Sequence, residues 1–132
     1  MITRELEDEH FKFWIEDGIL FGSYKHPIAI DLNLLKQHIR LRHEISQGEY
    51  QYFCFLTKGL KNYSKEAREY ATVHGQEFIH ASAAIIESHV TRFLYNAYTK
   101  INRPKVPFKA FYTKQEGIDW LNEIKNKNNG EN

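Results

Sequence analysis

Apolar and polar residues repeat along the 132-residue chain with two different periods, and the changes of period mark its elements. In residues 11–16, FKFWIE, Phe11, Phe13 and Ile15 alternate onto one face, the pattern of a half-buried strand. Asp17-Gly18 tolerates the positive φ angles of a two-residue hairpin turn, and ILFGSY runs back as a second strand. His26-Pro27 ends it, because proline cannot donate to a ladder. Behind Asp31 as N-cap, Leu34, Leu35, Ile39, Arg42 and Ile45 recur at helical spacing, and Gly48 marks the stop. Residues 50–56, YQYFCFL, are almost continuously apolar, which predicts a strand buried on both faces.

The second half repeats the alternation of strand and helix. Ala67, Tyr70, Ala71, His74 and Phe78 trace a second helix, and SAAIIE (82–87) reads as a strand. Val90, Phe93, Leu94, Ala97 and Ile101 predict a third helix, stopped before Pro104. VPFKAFY (106–112) alternates as a last strand, and Thr113 with Glu116 forms a capping box that opens a fourth helix. Residues 1–9 read as an N-terminal extension, 10–125 as a single domain and 126–132 as a disordered polar tail. The order is ββαβαβαβα, in which strands separated by helices favour parallel pairing through right-handed crossovers.

This order resembles the STAS-like fold of the sporulation anti-sigma-factor antagonists. The resemblance spans roughly residues 10–125 and rests on three features: the opening hairpin, a strand ending just before residue 60, and the closing FKAFYTKQEGIDWL (108–121). That ending is similar to the F-T-x-x-E-x-A-x-x-W-L close of STAS-like proteins, with Ile118 in place of the alanine. The resemblance implies an α/β domain with a five-stranded mixed sheet and four helices packed mainly on one face. It also implies a module that binds partners and, in some members, nucleotides or lipids. In the antagonists a serine at the start of the second helix is phosphorylated within an Asp-Ser-x-Gly motif. The nearest counterpart here is Ser64, in KGLKNYS (58–64), which lacks that aspartate and the following glycine.

Composition narrows the function classes. Hydrophobic residues at 42% and charged residues at 27% describe a globular chain, and a formal net charge of +1 supplies no field for gripping nucleic acid or an anionic membrane. A single cysteine, Cys54, excludes an internal disulfide and a Cys-rich zinc site, and within an apolar strand it reads as packing. No apolar run approaches the roughly 20 residues of a membrane span, and the charged start has no signal-peptide core, so the expected location is the cytoplasm. The seven histidines read as surface or capping residues, since His38 and His43, five apart, fall on different sides of a helix. No metal, cofactor or catalytic residue is expected.

The candidate sites are therefore sites of recognition. Ser64 is either the N-cap of the second helix or a phosphoacceptor at a helix N-terminus. Lys58, Gly59 and Lys61 form a candidate anion or partner site with Ser88 and Arg92, because both loops follow adjacent parallel strands. The aromatic content of 14% suggests a covered face, and Trp14, Tyr24, Tyr50 and Tyr52 are its candidates, suited to a homodimer. The function that follows is a non-catalytic regulatory module that recognises a protein partner or a small anionic ligand, with phosphorylation as a modulator. The alternative is a small-molecule or lipid-binding domain, or a small enzyme, with an apolar pocket lined by residues such as Phe78, Phe93 and Phe111.

Overall fold

The alternation over residues 11–24 folds as the expected hairpin. Strands β2 (Phe11–Glu16) and β3 (Ile19–Tyr24) pair antiparallel, and Asp17 (φ 52°) and Gly18 (φ 80°) both take the left-handed conformation of a two-residue turn. The computed structural model describes residues 1–89, 92 and 105–130. Within the extension expected before the domain, β1 (Ile2–Glu7) adds an antiparallel edge strand to β2. Its outward charges hide it from a periodicity search and suit an exposed edge. Arg4 fastens it inward: Nη1 donates to the Ile45 carbonyl at 2.8 Å, and Nη2 pairs with Glu49 at 2.7 Å.

Beyond β3 the sheet turns parallel through β5 (Gln51–Leu56), β7 (Ile79–Ile85) and β8 (Phe108–Phe111), giving six strands in the order β1-β2-β3-β5-β7-β8 where five are expected. The short strands β4 (Ile28–Ile30) and β6 (Leu60–Tyr63) pair separately, in parallel. Three helices lie among the described residues: α1 (Leu32–Ser46), α2 (Lys65–His74) and α3 (Lys114–Gly130). Of the helix expected over 90–101, all but Arg92 lies outside the described residues. Asp31 accepts a hydrogen bond from the Leu34 N–H at 2.8 Å, as the sequence implies, while the Thr113 hydroxyl accepts from the Glu116 N–H at 3.2 Å and donates to the Glu116 carboxylate at 2.9 Å, so this box closes through the two side chains.

The described helices do not share one face. β5 sends Phe53 and Phe55 to one side, where Leu35, Ile39 and Ile45 of α1 and Ala67 of α2 pack, and Tyr52 and Cys54 to the other, where Leu121 of α3 packs. A strand apolar on both sides needs cover on both. Gly117 lets α3 press close, since a Cβ there would stand 2.7 Å from Cδ1 of Ile85 and 3.6 Å from Sγ of Cys54. The helix continues to Gly130, through positions 126–130 expected as disordered tail, and Asn128 Nδ2 donates to the Tyr52 hydroxyl at 2.9 Å.

Gly22 occupies the tightest point of the opposite layer. A Cβ there would lie 2.7 Å from Cε1 of Phe13 and 3.2 Å from Cε1 of Phe53, two buried rings that cannot bend aside as flexible chains do. Gly22→Ala is expected to lower stability by about 1–3 kcal/mol, the usual cost of overpacking. Urea denaturation checks this: the midpoint should fall with an unchanged slope.

Candidate functional site: a cavity walled by a buried arginine

The inward stripe of α1 reads Leu35, His38, Ile39, Arg42, Ile45 and Ser46, so its helical period buries two basic side chains one turn apart. His38 is 7% exposed and stands edge-on to Phe11, Phe13 and Phe55, with ring centroids 5.1–5.4 Å away, and to Phe53 at 6.4 Å. Burial pushes its pKa well below the usual histidine value, and the Arg42 and His43 charges act in the same direction. The ring is therefore a neutral part of an aromatic core, not the surface or capping residue expected.

Arg42 is only 3% exposed, with Cζ 5.4 Å from the Phe53 ring centroid. Its Nε and Nη2 have no hydrogen-bond partner, and no carboxylate among the described residues pairs with it. Burial lowers its pKa to about 10 against the pull of Tyr63 and Glu77, which raise it, and this still leaves a full positive charge at neutral pH. A buried guanidinium without a carboxylate in direct contact is uncommon, because desolvating a charge costs several kcal/mol unless a close partner offsets it.

Both residues border a cavity of about 160 Å³ between the sheet and the helix pair. Phe53, Phe55 and Ala84 form its floor, Leu35 and Ala71 face it from α1 and α2, and Thr57, Leu60 and Tyr63 close the side next to β6. Tyr24 also lines it, and burial raises the pKa of its hydroxyl well above the ordinary tyrosine value. A second unpaired donor belongs to the wall. Gln76 accepts the Lys105 N–H through Oε1 at 2.9 Å, while its buried Nε2 has no partner. The pocket expected around Phe78, Phe93 and Phe111 is not this one. Phe78 packs on His43 and Tyr50, Phe111 packs on Trp120 at 5.6 Å, and Phe93 lies outside the described residues.

Apart from Tyr24, the candidate residues singled out from sequence fall around this cavity rather than in its lining. Leu60 N donates to Thr57 O at 3.0 Å across a turn in which Gly59 takes φ 91°, the positive angle of a type II third position. Lys58 and Lys61 point outward and are exposed. Ser64 caps α2, its hydroxyl accepting from the Ala67 N–H at 3.1 Å. The Arg92 N–H donates to Ser88 O at 3.1 Å, and its guanidinium lies 5.8 Å from the Tyr112 ring. The four aromatics do not share a face. Trp14 stacks on Phe21 at 5.4 Å on the α3 side, Tyr52 is buried there under α3, Tyr24 faces α1, and Tyr50 is 58% exposed.

Comparison with known proteins agrees with this architecture. A family model described as a domain of unknown function, DUF7793, matches residues 13–125. The chain belongs to the DUF7793 family. No protein of curated function matches it. Among solved structures it is similar to an uncharacterised protein of the DUF3478 family with a SpoIIAA-like fold from Shewanella loihica PV-4, at 17% identity and a TM-score of 0.59, covering 88% of this chain and 98% of that one. That likeness supports the STAS-like fold. Among the described residues no helix of this DUF7793 member is long and apolar enough to cross a membrane, and no group of three His, Cys, Asp or Glu side chains comes together.

Two buried groups yield measurable expectations. His38 stays neutral when folded but takes a proton in the unfolded chain below its usual pKa of 6.5, so stability is lost as pH falls below that value. Its share is expected to approach about 1.4 kcal/mol per pH unit. Urea titrations from pH 7.5 to 5.5 should show that slope reduced in His38→Leu; parallel slopes would contradict the assignment. Burial lifts the Cys54 thiol to about 12, so it should resist aromatic disulfide reagents in the native state and react at once in denaturant.

Proposed function

We propose that this protein is a non-catalytic, STAS-like binding module whose ligand site is the cavity beneath α1 and α2. The observation that carries this reading is the wall of that cavity: a mostly apolar lining that includes two side chains, Arg42 and Gln76, with unpaired donors. A ligand site ordinarily combines an apolar body with a few polar groups that fix orientation. The ionisable groups at hand suit binding better than catalysis. A guanidinium keeps its proton at neutral pH, and an imidazole enclosed by four phenylalanine rings has little access to a substrate proton.

The segment that carries Lys58, Lys61 and Ser64 also supplies Thr57, Leu60 and Tyr63 to the cavity. In this reading a bound ligand stiffens that segment, and the exposed lysines present its state to an acidic partner. Phosphorylation of Ser64 would act on the same helix start, where free N–H groups and the dipole favour a phosphate.

Toluene is a suitable neutral probe, because a cavity of about 150 Å³ lined by apolar residues is known to hold benzene. Titration followed by amide NMR should reveal one saturable site, with shifts centred on α1, β5 and β7. Ala71→Leu, which pushes a larger side chain into the cavity, should abolish those shifts in a folded protein. Non-saturable shifts, or shifts unchanged in Ala71→Leu, would contradict the reading.

A further inference from the structure

Two polar side chains of the lining, Arg42 and Gln76, hold buried donors without a partner, and Arg42 carries a fixed charge. Nε and Nη2 lie on the same edge of a guanidinium, so the two unpaired atoms of Arg42 form the side-on fork that receives both oxygens of a carboxylate. Phosphate also accepts from such a fork, but it brings further oxygens and at least as much charge, and other polar side chains of this mostly apolar wall, Thr57 and Arg68 among them, already donate to backbone carbonyls. A monocarboxylate needs two donors for its fork and leaves one acceptor lone pair or two for Gln76 Nε2.

Size restricts the rest of the ligand. A volume near 160 Å³ accommodates one benzene-sized apolar body. The geometry points to a small apolar monocarboxylate, aromatic or branched with about six to eight carbons, held at Arg42 and Gln76 with its body against Phe53 and Phe55. This inference rests on the cavity being a ligand site. It differs from the anion site expected at Lys58, Lys61 and Arg92, which are separate side chains outside the cavity lining.

The unpaired state of Arg42 has a second consequence. A buried charge with two unpartnered donors and no carboxylate in contact destabilises the free protein, so an apolar side chain of similar length should stabilise it. Arg42→Met is therefore expected to raise the thermal midpoint of the unliganded protein while removing carboxylate recognition. A structural arginine would behave oppositely, and its loss would lower the midpoint.

The test compares benzoate, its neutral isostere nitrobenzene, and toluene, by calorimetry and amide NMR on the full chain at pH 7. Wild type should bind benzoate more tightly than nitrobenzene. Arg42→Met should weaken benzoate at least about tenfold and leave toluene within about threefold, as expected when one charge-assisted pair is removed from an otherwise intact site. Gln76→Met should weaken benzoate by a smaller factor, about two- to fivefold. If toluene binds but benzoate does not, the carboxylate assignment is overturned and the cavity reading survives. Failure of all three probes overturns both. An Arg42→Met protein that melts earlier or does not fold also overturns the assignment, because Arg42 would then be holding the fold together.

Discussion

Burial of β5 on both faces is the constraint around which this chain is arranged. Its side chains alternate between two aromatic and aliphatic layers, and each layer needs its own cover. α1 covers one side through a stripe set by the 3.6-residue period, and α3 covers the other because Gly117 allows close approach and Asn128 fastens onto Tyr52. With both sides occupied, the sheet has to extend at its edges. The antiparallel strands β1 and β2 lengthen it on one side, and the parallel strands β7 and β8 lengthen it on the other.

The same period that makes α1 a cover also carries His38 and Arg42 inward. The two differ in how the interior tolerates them. Histidine can shed its charge, and edge-on contacts with four phenylalanines suit the neutral ring. Arginine has no neutral form near physiological pH, so its charge stays wherever the helix places it. An interior that holds a permanent cation next to an unfilled volume is poorly optimised for stability, and sites kept for binding are where such compromises concentrate.

Much of the fold was legible in the sequence because period and punctuation agreed. The hairpin at Asp17-Gly18, the cap at Asp31 and the box at Thr113 and Glu116 each link a residue type to one backbone geometry. β1 was not legible, since an edge strand with charged outward positions carries no alternation of its own, and its hold comes from Arg4 reaching α1. The helix at 126–130 escaped for a similar reason: its anchor is a contact between Asn128 and Tyr52, far apart in the chain. Helical spacing includes Phe78, yet α2 ends at His74 and Phe78 turns to a positive φ. The candidate site was half visible. Arg42 sits in a periodic apolar run, and a charged residue on an inward stripe is the signal that points to it. What sequence could not supply is the lack of a partner, because a counter-ion can arrive from any other strand or helix.

The most direct test of this account is a crystal structure of the protein grown in the presence of benzoate. The expected result is a carboxylate with one oxygen at hydrogen-bonding distance from Nε of Arg42 and the other from Nη2, with its ring lying against Phe53 and Phe55. An Arg42 guanidinium paired instead with a carboxylate of its own chain, beside a cavity closed by side chains, would contradict it.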